Sequence, residues 1–149
     1  MSKKFTFPLQ KALDWYRQSL AVEQASLQRI INEIRNLDRL KEALERRQRT
    51  EHEQLHASGL MSGKDLRGLA SYSALIRGDM ARLATERMRQ ESNLTEQRRK
   101  VGLQHRRVRV LEELEQRRKA EWVHSVGVEE DSLASDLFLA GIAREEQTA

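Results

Sequence analysis

A heptad stripe runs from Leu9 to Leu55 and leaves few folds open to this chain. The a positions read Leu13, Leu20, Leu27, Ile34, Lys41, Gln48 and Leu55, and the d positions read Leu9, Tyr16, Glu23, Ile30, Leu37, Leu44 and Glu51. Ten of these fourteen positions are apolar. A soluble helix that sustains such a seam over almost seven heptads needs a helical partner along its length. The single proline, Pro8, is placed by this pattern in the first helical turn, and no proline interrupts anything beyond it.

The stripe stops at Ser58-Gly59-Leu60-Met61-Ser62-Gly63-Lys64-Asp65. Two glycines in five residues predict a turn over 58–64. Ser62 and Asp65 stand at capping-box spacing, with Asp in place of the usual Glu, and predict a helix start. A second stripe follows from Leu66 to about Trp122. Its a positions are Leu66, Ser73, Met80, Arg87, Leu94, Val101, Val108, Glu115 and Trp122. Its d positions are Leu69, Ile76, Leu83, Gln90, Gln97, Gln104, Leu111 and Arg118. Leu75, Met88, Leu103, Val110 and Leu114 broaden this weaker stripe.

Antiparallel pairing at position numbers summing to about 124 sets Leu55 against Leu69, Leu44 against Met80, Ile30 against Leu94, and Leu13 against Leu111. The fold expected is therefore all-α: two long helices, about 8–57 and 65–124, forming an antiparallel coiled-coil hairpin over 1–126. One continuous helix in a dimer would instead set both glycines mid-helix, at about 1 kcal/mol each relative to alanine. The polar seam residues Lys41, Gln48, Glu23, Arg87 and the three glutamines read as register-fixing groups. A rod left only marginally stable, so that it can flex, is the alternative. Beyond Trp122 the heptads fade. Gly127 and Glu129-Glu130-Asp131 predict a break, then an acidic C-terminal tail over 127–149 that is a short helix or disordered until a partner orders it.

Composition agrees. Charged residues are 34% of the chain and aromatics 5%, which suits a narrow seam and not a round core. No cysteine is present, so no disulfide framework and no thiolate metal site is available, and a reducing compartment is expected. The N-terminal residues lack a signal-peptide core, and the longest apolar run, Leu137 to Ala143, is seven residues, far short of a membrane span. A cytoplasmic protein without membrane insertion is expected. Charge is uneven: residues 1–120 net +10 and residues 121–149 net −6. Acidic protein surfaces, nucleic acid and the chain's own tail are all partners for such a distribution.

Candidate sites are few. His52-Glu53-Gln54-Leu55-His56 matches the zinc-protease pattern H-E-x-x-H. Leu55 belongs to the seam, which turns both histidines outward, and no third ligand or cleft is in view. The match is read as accidental, with no catalytic residue, no metal and no cofactor expected. No Gly-rich phosphate loop and no nucleophile with a positioned base occurs. Between Glu96 and Lys119, nine basic and four acidic residues net +5. A solvated helix face with local ion pairs explains this run. So does docking of an acidic protein surface. Nucleic acid is disfavoured by the interleaved acids and the lack of base-stacking aromatics. Phe5, Phe7, Trp15, Tyr16 and Trp122 gather at the open end, either zipping the helix ends together or forming an interface.

The opening Phe5-x-Phe7-x-Leu9-Gln10-x-x-Leu13-Asp14-x-x-Arg17, with Glu23 beyond it, resembles the N-terminus of the flagellar export protein FliJ family. The likeness continues through Gly59, Leu69-x-x-Tyr72 and Leu111-Glu112-x-Leu114-x-x-Arg117, and covers nearly the whole chain. It implies a non-enzymatic part of the bacterial flagellar type III export apparatus, at the cytoplasmic face of the membrane-embedded machinery. The implied role is central stalk of a hexameric export ATPase, with the cytoplasmic domain of the export gate and export chaperones as further partners. The ATPase contact then falls on Arg106, Arg107, Arg109, Arg117, Arg118, Trp122, Phe5, Phe7 and Trp15. The gate contact falls on Leu44, Gln48, Tyr72, Leu75 and Asp79. A basic coiled-coil scaffold or nucleic-acid binder outside that system is the alternative.

Overall fold

The structure, a computed structural model, describes residues 4–59 and 62–148, apart from the Ser58 side chain. Two long helices account for nearly all of it: α1, Gln10–Ser58, and α2, Gly63–Thr148. They pack against each other, and among the described residues there is no strand. The expected all-α pair of long helices is what forms.

Both helix starts have identifiable causes. The Gln10 amide donates to the Phe7 carbonyl at 3.1 Å and the Leu13 amide to the Leu9 carbonyl at 2.9 Å. Pro8 thus occupies the second position of a turn immediately ahead of α1, and not the first helical turn. Its fixed φ suits that place equally well. The turn sends Phe7 back into the core, where it is 6% exposed. At the start of α2, the Asp65 amide donates to Ser62 Oγ at 3.2 Å and the Ser62 amide to Asp65 Oδ2 at 3.3 Å. This reciprocal pair is the capping box that the spacing predicted. Gly59, with φ of +66°, ends α1 in the left-handed conformation that glycine adopts without strain. Leu60 and Met61, within the predicted turn, lie outside the described residues.

The chain divides into two compact units: Met1–Ser19 with Gln104–Ala149, and Leu20–Leu103. In the second unit, Asp38 pairs with Arg87 and Glu23 with Gln97 across the two helices. In the first, Phe5 meets Trp122, Tyr16 meets Arg107 and Arg17 meets Glu112. From Phe5 to Tyr16 and Arg17, and from Glu23 to Asp38, the partner number falls as the residue number rises, which is antiparallel pairing. The sums range from 120 to 129 and bracket the register expected at 124.

The seam is narrow. Its buried apolar side chains are Phe7, Leu13, Leu37, Ile76 and Val108, and all but Phe7 hold a or d positions. Of the residues flanking the second stripe, Leu75, Met88, Leu103 and Val110 are exposed and Leu114 is half-buried. Two helices in contact cover only one arc of each cylinder, so neighbours of the seam stay in water.

Of the polar seam residues of α2, Arg87 and Gln97 find partners across the seam, Gln90 bonds Glu86 on its own helix, and the buried Gln104 Oε1 has no hydrogen-bond partner. Gln97, 8% exposed, donates from Nε2 to the Glu23 backbone carbonyl at 2.9 Å and also to the Glu23 carboxylate. Arg87 Nε lies 2.7 Å from Asp38 Oδ1, and its Nη1 reaches Glu91 on the same helix. That guanidinium holds the Asp38 carboxyl below the usual carboxylate range, chiefly through the hydrogen bond. Cross-helix pairs of this kind depend on register. Lys41, at an a position, is exposed.

The C-terminal stretch departs from expectation. α2 does not end near residue 124 but continues through Gly127 to Thr148. One glycine costs a helix about 1 kcal/mol relative to alanine. The residues beyond it include Leu133, Ala134, Leu137, Leu139, Ala140, Ala143 and Arg144, all strong helix formers. The acidic run supplies no break of its own. From Val128 to Thr148 every residue is exposed. Among the described residues no helix is long and apolar enough to cross a membrane.

Candidate interaction surfaces

The first unit brings the N-terminal aromatics onto the basic part of α2. The Phe5 and Trp122 rings lie 6.0 Å apart, tilted by 51°. Trp15 and Tyr16 meet edge to face at 5.0 Å, and the Arg107 guanidinium stacks over Tyr16 at 5.7 Å from its centroid. Arg17 donates through Nη2 to Glu112 at 3.1 Å. These contacts fasten the segment before α1 and its first two turns to α2 over residues 107–122. Cation–π stacking and tilted aromatic pairs each contribute about 0.5–1.5 kcal/mol.

What remains free on this surface is specific. Trp15 is 59% exposed, an unusual placement for so large an apolar ring. Arg106, Arg117 and Arg118 are exposed and make no ion pair among the described residues. Arg109 is held by Glu113 at 3.4 Å, and Arg107 is committed to Tyr16. Phe5 and Trp122 are half-buried against each other. Phe7, expected in the same contact set, is buried in this structure at 6% exposure. A hollow of about 460 Å³ beside Phe5 and Trp122, rimmed by Arg118 and Glu121, completes the surface.

In the second unit, Leu44 and Asp79 line one shallow groove of about 360 Å³ with Leu40, Ala43, Arg47, Arg82 and Leu83. The Asp79 carboxylate is engaged by Arg82 one turn on. Tyr72, half-buried, lines a different hollow of about 550 Å³ with Glu51, Leu55 and Leu69. Gln48 is half-buried in the seam and Leu75 is 61% exposed, and neither lines those hollows. The five residues expected together are therefore divided. Leu40 and Arg47 were missed by the heptad count. Their signal is the line Leu40, Ala43, Leu44 and Arg47, spaced i, i+3, i+4 and i+7 along one side of the seam.

His52 and His56 are both exposed, while Leu55 is half-buried in the seam. Among the described residues no group of three or more His, Cys, Asp or Glu side chains gathers to hold a metal ion.

Comparison with known proteins returns no match, whether to a family model, to a curated sequence or to a solved structure.

Proposed function

We propose that this chain is a non-enzymatic stalk and adaptor of the flagellar type III export apparatus, docking into the hexameric export ATPase with the surface formed by the N-terminal aromatics and the basic part of α2. The observation that carries the reading is the exposed Trp15 together with the unpaired Arg106, Arg117 and Arg118 in the same compact unit. An exposed indole and free guanidinium groups have the chemistry of interface anchors. An acidic, apolar-lined ring lumen is its complement. The likeness of Phe5 to Arg17 and of Leu111 to Arg117 to the FliJ family supports the same placement.

The groove lined by Leu40, Leu44 and Asp79 is the corresponding candidate for the cytoplasmic domain of the export gate. Export chaperones are further partners, and the location is cytoplasmic at the membrane-embedded apparatus. No catalytic residue, metal or cofactor has a part in this proposal.

The test is ATP hydrolysis by the export ATPase of the same bacterium, with and without this protein, beside Trp15→Ala and the triple variant Arg106/Arg117/Arg118→Ala. Stimulation by the parent protein that is lost in both variants is expected. No stimulation and no binding at low salt would overturn the proposal. Steeply salt-dependent binding to DNA or RNA in its place would establish the basic scaffold reading.

A further inference from the structure

The histidine pair of α1 has a use other than the protease chemistry that its sequence match suggests. A closed zinc site needs three or four protein ligands, and among the described residues no third ligand joins His52 and His56. An open chelate on a helix surface needs only two, with water filling the remaining positions.

His52 and His56 are four residues apart on the continuous helix α1. That spacing sets them about 40° apart around the axis and about 6 Å apart along it. Neighbours at this spacing have Cβ atoms about 5–6 Å apart, so each imidazole can turn one nitrogen toward a shared ion. Both histidines are exposed. Neither makes a hydrogen bond or an ion pair among the described residues, which leaves their ring nitrogens open to a ligand.

The position favours a cation. His56 lies in the last turn of α1, where unpaired carbonyls make the negative end of the helix. The exposed Glu53 stands one turn before His56 and adds a carboxylate on the flank of the pair. Arg49, one turn before His52, works against both.

We infer that His52 and His56 form a two-nitrogen site for a divalent late transition-metal ion. Imidazole suits Cu²⁺, Ni²⁺ and Zn²⁺, with Cu²⁺ held most tightly, whereas Mg²⁺ and Ca²⁺ want oxygen ligands. The two nitrogens converge only while residues 52–56 are helical. The ion therefore binds the folded chain in preference and pins the end of α1 ahead of the Gly59 turn. The other two histidines, His105 and His124, are far apart on α2 and offer single donors.

The experiment is calorimetric titration of the full chain with Cu²⁺ at neutral pH, with Mg²⁺ as the negative control. One tight ion per chain is expected. His52→Ala and His56→Ala should each weaken binding by about tenfold or more, because the second donor no longer acts intramolecularly. The double variant His105→Ala/His124→Ala should bind like the parent. The deciding variant is His56→Ala/Ala57→His, which keeps the number of histidines but sets the pair about 140° apart around the helix. It should bind as weakly as the single variants, with helicity by circular dichroism unchanged. Electron paramagnetic resonance should show two nitrogens coupled to Cu²⁺ in the parent and one in that variant. Ni²⁺ should raise the melting temperature of the parent and not of that variant. Equal affinity in the parent and in His56→Ala/Ala57→His overturns the chelate. Tight binding that survives the loss of both His52 and His56 places the ion elsewhere and overturns the site. The inference does not rest on the export reading, and none of these readouts uses an ATPase.

Discussion

Replacing Leu13 by alanine tests whether the seam is the main source of stability in the first unit. Leu13 is 0% exposed and holds an a position, closed over by the opposing helix. Truncating a buried leucine costs about 2–5 kcal/mol, combining lost transfer free energy with a residual cavity. Two helices can close around a gap more readily than a globular core, which places Leu13→Ala near the lower end, about 2–3 kcal/mol. For a chain of this size 1 kcal/mol corresponds to about 2–4 °C, so the melting temperature should fall by roughly 8 °C. Leu9→Ala is the internal comparison. Leu9 is a d position one turn away but 42% exposed, and its truncation should cost about 1 kcal/mol and roughly 3 °C. Thermal melts followed by circular dichroism at 222 nm, with urea titrations as a second measure, separate the two. A Leu13→Ala shift no larger than that of Leu9→Ala would refute the reasoning that burial in the seam sets the stability of this end.

Other substitutions address different features. Gln97→Leu should leave stability unchanged or raise it by about 1 kcal/mol, since the Glu23 carbonyl keeps its helical partner. Its expected cost is register specificity, visible as broadened amide resonances or higher oligomers. The carboxyls of Asp38, Glu86 and Glu96 are each held below the ordinary range, first of all by hydrogen bonds from Arg87, Arg89 and Arg99 respectively. A depressed folded-state pKa contributes stability that is present above the unfolded pKa and lost as pH falls through the folded one. The urea midpoint should therefore hold down to about pH 4 and decline below it, with a shallower decline in Asp38→Asn. Gly127→Ala should stabilise the chain by about 0.5–1 kcal/mol, because a methyl there meets open space and the helix is continuous through it. Loss of stability in that variant would contradict the uninterrupted helix.

Much of the architecture was legible because heptad spacing, the Ser62 and Asp65 cap and the glycine at 59 are local signals that agree with one another. Leu13, Leu37, Ile76 and Val108 are buried at the positions the stripe assigns. What the stripe could not show lies off its period. Asp38 is neither an a nor a d residue, yet it completes the Arg87 pair from the flank of the seam. Phe7 precedes the stripe altogether, and only the Pro8 turn explains why it is core and not surface. Gly127 and its acidic neighbours look like a stop when read alone. In context the surrounding leucines and alanines outweigh a single glycine. The arginines of the proposed contact were recognisable as a group. Their division into engaged (Arg107, Arg109) and free (Arg106, Arg117, Arg118) depends on where Tyr16 and Glu113 sit.

The aromatic cluster has an optical consequence. The chain has two tryptophans, Trp15 and Trp122, and both belong to the first unit. One is open to water and the other is half-covered by Phe5, so their emission should be a sum of red-shifted and blue-shifted components that acrylamide quenches at different rates. The second unit has no indole and is silent at these wavelengths. Fluorescence therefore reports one half of the chain without any label, while backbone ellipticity averages both. Coincident melting curves by the two signals would mean that the halves unfold together, and separated curves would give the free energy of each.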